Sequence, residues 1–173
     1  KYGRFENDEA TKNSKPSLVH VLDKTHITVG FVSADFREHP VAHLFAPILE
    51  HYDRKKFKFI LYNNSPVGDE VTDAFKKYAN DWRDIFTFDD KHVADMVRAD
   101  SVDILVDLSG HTAGNRLNMF ALRPAPIQVS WLGYMNTTGL RSIDYRITDS
   151  FLASPGSEDF YTEKLWRVRD SFT

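Results

Sequence analysis

The sequence has 173 residues, 42% of them hydrophobic and 27% charged, enough for one domain with a real core and too few for two. A formal net charge of −3 gives no electrostatic reason to expect nucleic acid or an anionic membrane as a partner. The absence of cysteine excludes disulfides, a thiol nucleophile and cysteine-ligated zinc, and permits a reducing compartment.

From Lys1 to Lys24 the chain is polar and aperiodic, broken at Asn7-Asp8, Asn13-Ser14 and Lys15-Pro16. Residues 1–24 read as a linker without a signal-peptide apolar region. No run anywhere approaches the ~20 apolar residues that span a bilayer, so a cytoplasmic protein with no membrane contact is expected. Residues 25–173 then alternate strand and helix patterns. Ile27–Ser33 is rich in β-branched and aromatic residues and reads as a buried strand. Pro40–Tyr52 has helical spacing, with Val41, Leu44, Phe45, Ile48 and Leu49 on one face. A second strand is expected at Phe57–Tyr62, a helix at Glu70–Ala79, a third strand at Asp84–Phe88 and a helix at Lys91–Arg98. Val102–Leu108 is the strongest strand pattern in the chain. Arg116–Leu122 is a short helix stopped at Arg123-Pro124, because the residue before proline avoids the helical region. Strands at Ile127–Leu132 and Tyr145–Thr148 complete the set.

This alternation predicts an α/β fold, a Rossmann-like doubly wound parallel sheet covered on both faces. If the strand order is 3-2-1-4-5, the first and fourth strands meet at the switch point, and ligands bind beyond their carboxyl ends. The loops on that edge carry the candidate chemistry. After the first strand, His39 precedes Pro40, which suits the first helical position. His39 then sits at the cap, beside the positive end of the helix dipole, where the imidazolium is disfavoured and a neutral ring could accept a proton. The plainer alternative is that it only caps the helix. His43 lies one turn on, on the same face; a metal pair is conceivable, but no further ligand motif accompanies it, and packing or substrate contact is the expected role. After the fourth strand, Gly110, His111, Thr112, Gly114 and Asn115 combine two glycines with an imidazole, a hydroxyl and an amide. Such a loop can hold a phosphate or a sugar, or can simply be a tight turn. After the fifth, Tyr134, Thr137, Thr138 and Gly139 repeat the theme.

At these loops the sequence resembles the O-linked N-acetylglucosamine transferases, glycosyltransferase family 41, and more closely the bacterial, SPINDLY-like branch. The matching stretches are 29–36, 39–43, 107–116, Phe120-Ala121-Leu122-Arg123-Pro124-Ala125-Pro126-Ile127-Gln128, Trp131-Leu132-Gly133-Tyr134, Asp144-Tyr145, Ile147-Thr148-Asp149 and Glu163-Lys164-Leu165. The resemblance implies the amino-terminal lobe of a GT-B enzyme, with a UDP-sugar donor (UDP-N-acetylglucosamine), metal-independent inversion and a Ser/Thr hydroxyl of a protein as acceptor. It implies His39 as catalytic base candidate, tetratricopeptide repeats upstream, and a carboxyl-terminal lobe that holds most uridine and pyrophosphate contacts and is absent from this chain. Alternatives are a related transferase of another sugar, such as fucose, and a non-catalytic binding or scaffold module. A nucleotide-dependent oxidoreductase is disfavoured, since Ser33-Ala34-Asp35-Phe36 stands where a Gly-x-Gly-x-x-Gly would follow the first strand. Two departures from the family pattern are Met135-Asn136, where Pro-Gly is usual, and Arg169, where a proline is common.

Overall fold

A computed structural model describes residues 25–169 and 171, and the expected linker at 1–24 lies outside them. Seven strands form one sheet in the order β3-β2-β1-β4-β5-β6-β7. They are β1 (Ile27–Ser33), β2 (Phe57–Asn63), β3 (Asp81–Asp84), β4 (Ile104–Asp107), β5 (Ile127–Ser130), β6 (Tyr145–Thr148) and β7 (Lys164–Arg167). Every pairing is parallel, including β1 with β4, where Val29 faces Ile104 and Val32 faces Asp107. The helices are α1 (Pro40–His51), α2 (Glu70–Tyr78), α3 (Asp90–Ala99) and α4 (Leu117–Ala121). The sheet is thus doubly wound and Rossmann-like, with its switch point between β1 and β4.

Both faces of the sheet are covered, as a parallel sheet requires. Because successive side chains on a strand point to opposite faces, Val29 and Phe31 join one core and Val32 the other. The first core packs Phe31, Phe36, Phe45, Leu49, Phe59, Phe75 and Trp131 beneath α1 and α2. The second packs Val32, Ile60, Tyr62, Val93, Val97, Leu105 and Phe120 beneath α3 and α4. No helix among the described residues is long and apolar enough to cross a membrane.

The largest departures from the sequence reading are in four strands. The third strand is Asp81–Asp84, paired with Ile60–Asn63, and not 84–88. Apolar Ile85, Phe86 and Phe88 suggested the later position, but Ile85 is buried in the loop beyond the strand, its N–H donating to the Asn63 carbonyl at 2.8 Å. The true strand is a polar, half-buried edge and lacks an apolar alternation. The fourth and fifth strands are shorter than expected, ending at Asp107 and Ser130. The seventh strand, β7, was not anticipated: it is a four-residue edge whose Trp166 is exposed.

The Ala-Leu-Arg-Pro-Ala-Pro-Ile-Gln run, Ala121 to Gln128, leads from the end of α4 into β5 and lies at the amino ends of β5 and β6, away from the ligand edge. Arg123, in the left-handed region at φ 46°, donates Nη2 to both carboxylate oxygens of Asp144 at 2.7 and 2.8 Å, and Nη1 to the Ser142 carbonyl at 2.6 Å. Gln128, fully buried, donates Nε2 to the carbonyls of Phe120 and Ser142 at 2.9 and 2.8 Å. This motif closes β5 against β6 and fixes where the loop between them ends, at Ser142–Asp144.

Candidate functional site at the carboxyl edge

The loops after β1, β4 and β5 lie on one edge, as the strand order requires, and they touch. A Cβ on Gly114 would meet the Ala34 Cβ at 2.7 Å, joining the β4 loop to the β1 loop. Arg116 ties both to the β2 and β3 loops. It donates Nε to Asn64 Oδ1 at 3.0 Å, Nη1 to Asp90 Oδ1 at 3.0 Å and Nη2 to the Ile85 carbonyl at 2.9 Å, while Asn64 Nδ2 donates to the Gly114 carbonyl at 2.8 Å.

His39 is the N-cap of α1, in extended backbone at φ −160°, with Pro40 at the first helical position. The Val41 N–H donates to its Nδ1 at 3.2 Å, and Asp35 Oδ2 lies 3.8 Å from the same nitrogen. In a neutral imidazole one nitrogen is donor and the other acceptor, so this ring carries its proton on Nε2. His43 does not converge with it. His43 is exposed and its Nε2 pairs with Glu38 Oε1 at 2.8 Å, so the two rings serve separate local bonds.

The β4 loop is shaped by Asp107, which is fully buried. Its carboxylate accepts the Ser109 N–H at 3.1 Å and the Gly110 N–H at 2.9 Å. Burial pushes the Asp107 carboxyl up to about 6, opposed by those two backbone bonds, the Ser130 hydroxyl and Arg146. Gly110, at φ 56°, cannot be replaced without strain, and a Cβ there would meet the Tyr134 Cβ at 2.4 Å. His111 is exposed. Its Nε2 donates to the Thr138 carbonyl at 2.9 Å, and its ring stands edge-on to Tyr134 with centroids 5.2 Å apart. Its proton is therefore on Nε2, and in the neutral ring Nδ1 is an acceptor. Thr112 donates to the Ser109 carbonyl at 2.8 Å, and Asn115 Nδ2 to the Thr112 carbonyl at 2.8 Å, so both side chains hold the loop itself.

The β5 loop interlocks with it. Gly133 passes so close to β4 that a Cβ would lie 2.1 Å from the Leu108 carbonyl oxygen, and the preceding Leu132 is held in the left-handed region at φ 63°. Thr137 and Thr138 are committed to Glu163, which is buried just before β7. Thr138 donates its N–H at 2.7 Å and its hydroxyl to Oε1, and Thr137 donates its hydroxyl to Oε2 at 2.7 Å. Burial raises the Glu163 carboxyl, but the hydroxyl and N–H bonds from these threonines outweigh it and hold the pKa below its ordinary value. Met135 and Asn136 are exposed, and Asn136 Oδ1 accepts the Thr137 N–H at 2.8 Å, giving the turn without proline and glycine. Gly139, at φ 73°, has open space around it.

The structure therefore brings His39, Gly110, His111, Gly114, Tyr134 and Gly139 to one edge. It spends Thr112, Asn115, Thr137 and Thr138 on holding the loops. Asp107, Ser130, Arg146 and Glu163 were missed as organisers. The signal for Asp107 was an acid at a strand end with small residues two and three positions on, Ser109 and Gly110, whose N–H groups it can accept. A cavity of about 470 Å³ also opens at the ends of β2 and β3, among Asn63, Ser65, Val67, Asp84, Phe86 and Thr87. It contains none of the residues marked from the sequence.

The sequence matches Glycosyl transferase family 41 across residues 11–173. A Hordeum vulgare protein described as "Probable UDP-N-acetylglucosamine--peptide N-acetylglucosaminyltransferase SPINDLY" is 48% identical over 150 residues, covering 84% of this chain and 16% of its own. The Arabidopsis thaliana protein of the same description is 45% identical with the same coverage. A solved mutant of the Thermobaculum terrenum O-GlcNAc transferase superposes with a TM-score of 0.83 at 41% identity, covering 85% of this chain and 28% of that one. The chain thus spans about a sixth of the length of these plant relatives, and its fold is a Rossmann-like lobe of GT-B type. With a family match over most of its length and the switch-point loops in place, the chain belongs to glycosyl transferase family 41.

Proposed function

We propose that this chain is the amino-terminal lobe of a cytoplasmic protein O-glycosyltransferase. It moves N-acetylglucosamine from UDP-N-acetylglucosamine to Ser or Thr hydroxyls of a protein, with inversion and without a metal. The observation that carries this reading is the meeting of three polar loops at the β1/β4 switch point of a family 41 lobe. A carboxyl-terminal lobe facing this edge supplies most uridine and pyrophosphate contacts, and tetratricopeptide repeats precede the lobe.

In the reaction the acceptor hydroxyl oxygen forms a bond to the anomeric carbon as the bond to the UDP oxygen breaks, and the hydroxyl proton passes to water or to the departing diphosphate. A hydroxyl is a poor nucleophile unless it is oriented and its proton is accepted. With Nδ1 occupied by the Val41 N–H, His39 offers a donor at Nε2, which suits holding a substrate oxygen in line for attack. Taking a proton at Nε2 would first require a tautomer shift and loss of the cap bond. His39 is therefore assigned the orienting role.

The test is transfer by the full parent chain of isotopically labelled N-acetylglucosamine from its UDP donor to a Ser/Thr peptide, with an alanine-substituted peptide as control. Hydroxyl-dependent incorporation supports the reading. A folded, two-lobed parent that labels neither the peptide nor any other hydroxyl acceptor rejects it.

A further inference from the structure

Arg146 is a largest-class side chain with only 1% of its surface exposed. It lies on β6, yet its guanidinium reaches the carboxyl end of β5 and the loop beyond it. Nη2 donates to the carbonyl of Tyr134. Nη1 donates to Ser130 Oγ at 3.3 Å, and that hydroxyl donates on to Asp107 Oδ2 at 3.4 Å. Asp107 in turn accepts the Ser109 and Gly110 N–H groups. One guanidinium thus grips the β5 loop directly and the β4 loop through a hydroxyl and a carboxylate. Nε is buried and finds no partner among the described residues, so the side chain is placed for its Nη contacts at the expense of one donor.

A buried cation needs a reason. Burial lowers the Arg146 pKa, opposed first by Glu163 and then by Tyr161, Asp107 and Tyr134 around it, and an arginine keeps its charge even so. Apolar replacement of buried charges is often neutral or stabilising to the fold as a whole. Global stability alone therefore does not explain this arginine, whereas the loops need a forked donor. Neither loop has a regular ladder of its own here, and between them they carry His111, Tyr134 and the close Gly110–Tyr134 approach.

We propose that Arg146 is a positioning residue that, with Asp107, locks the β4 and β5 loops to each other and so sets where His111 and Tyr134 stand at the ligand edge. Its consequence for catalysis rests on the transferase reading above; its effect on the loops does not.

The experiment is residue-resolved hydrogen exchange on the protein with Arg146→Met and Arg146→Lys, alongside thermal unfolding, followed by kinetics of the same variants in the full parent chain. In Arg146→Met, amides of 109–112 and 133–139 are expected to exchange about tenfold faster while those of β1 and β2 are unchanged. Arg146→Lys keeps the charge but cannot span both oxygens; it is expected to loosen 133–139 and leave 109–112 protected. In the parent chain, kcat falls about tenfold for Arg146→Met with the unfolding temperature little moved. Faster exchange spread evenly over the sheet, or no change in either loop, overturns the proposal. If the wild-type parent has no transferase activity, the function reading fails while the exchange result still decides this one.

Discussion

The Val41 N–H donates to His39 Nδ1 at 3.2 Å, and this bond makes the helix cap and the ring tautomer one property. In nitrogen-resolved NMR of the imidazole at neutral pH, Nε2 is expected to carry the proton and Nδ1 to be bare. A ring protonated at Nδ1 in the neutral form would sink the orienting role and restore the base.

The same residue separates function from capping by mutation. In the full parent chain His39→Ala is expected to lower turnover by ~10²-fold, the cost of losing a positioning group. Loss of the cap costs the fold only about 0.5–2 kcal/mol. Near-normal turnover with a lowered unfolding temperature would leave His39 as a cap.

Asp107 gives a pH dependence of defined sign. Its folded pKa is raised from 3.8 to about 6 by burial. The protonated form is thus favoured by folding, and this contribution is present below the ordinary aspartate range and lost as pH rises through about 6. The span is on the order of 3 kcal/mol. Denaturant unfolding of wild type and Asp107→Asn between pH 4 and 7 should show wild type gaining relative to the variant as pH falls. A difference that stays flat across that range would mean the carboxyl titrates as an ordinary one.

Glu163 has the opposite sign. Its folded pKa is lowered, with threonine hydrogen bonds outweighing burial, so its contribution is present above the ordinary glutamate value and lost as pH falls through the depressed one. Glu163→Gln is expected to cost about 1.5–3 kcal/mol at pH 7, as loss of a charge-assisted bond does. The cost should shrink in acid. A constant penalty down to pH 3 would argue against a carboxylate there.

The chain by itself should bind UDP-sugar weakly, because the nucleotide contacts are assigned to the other lobe. Calorimetry on the 173-residue chain is expected to show no micromolar site. A micromolar affinity would favour a self-contained binding module.

The sheet was legible because its central strands are apolar on both faces, and because the residues between them repeat a helical period. The switch point followed from that order alone. Edges were harder to read. Asp81–Asp84 has no apolar alternation, and Lys164–Arg167 is four residues long with two exposed side chains. The loops were found by composition, but composition does not say which polar groups face a ligand. Thr137 and Thr138 looked like ligand contacts and are held by Glu163, 25 positions beyond Thr138 in the chain. The organising acids and Arg146 are buried, and burial of a charge comes from tertiary packing, which local pattern does not report.

Gly110 has no side chain where Tyr134 has its Cβ, and no Cβ could fit between them. The two loops are therefore sterically coupled. A change at 110 demands a compensating retreat at 134, and grafting either loop from a relative without the other should produce a collision at the ligand edge. Recombination that keeps 109–116 with 133–139 preserves the lock, and any crossover between them divides it.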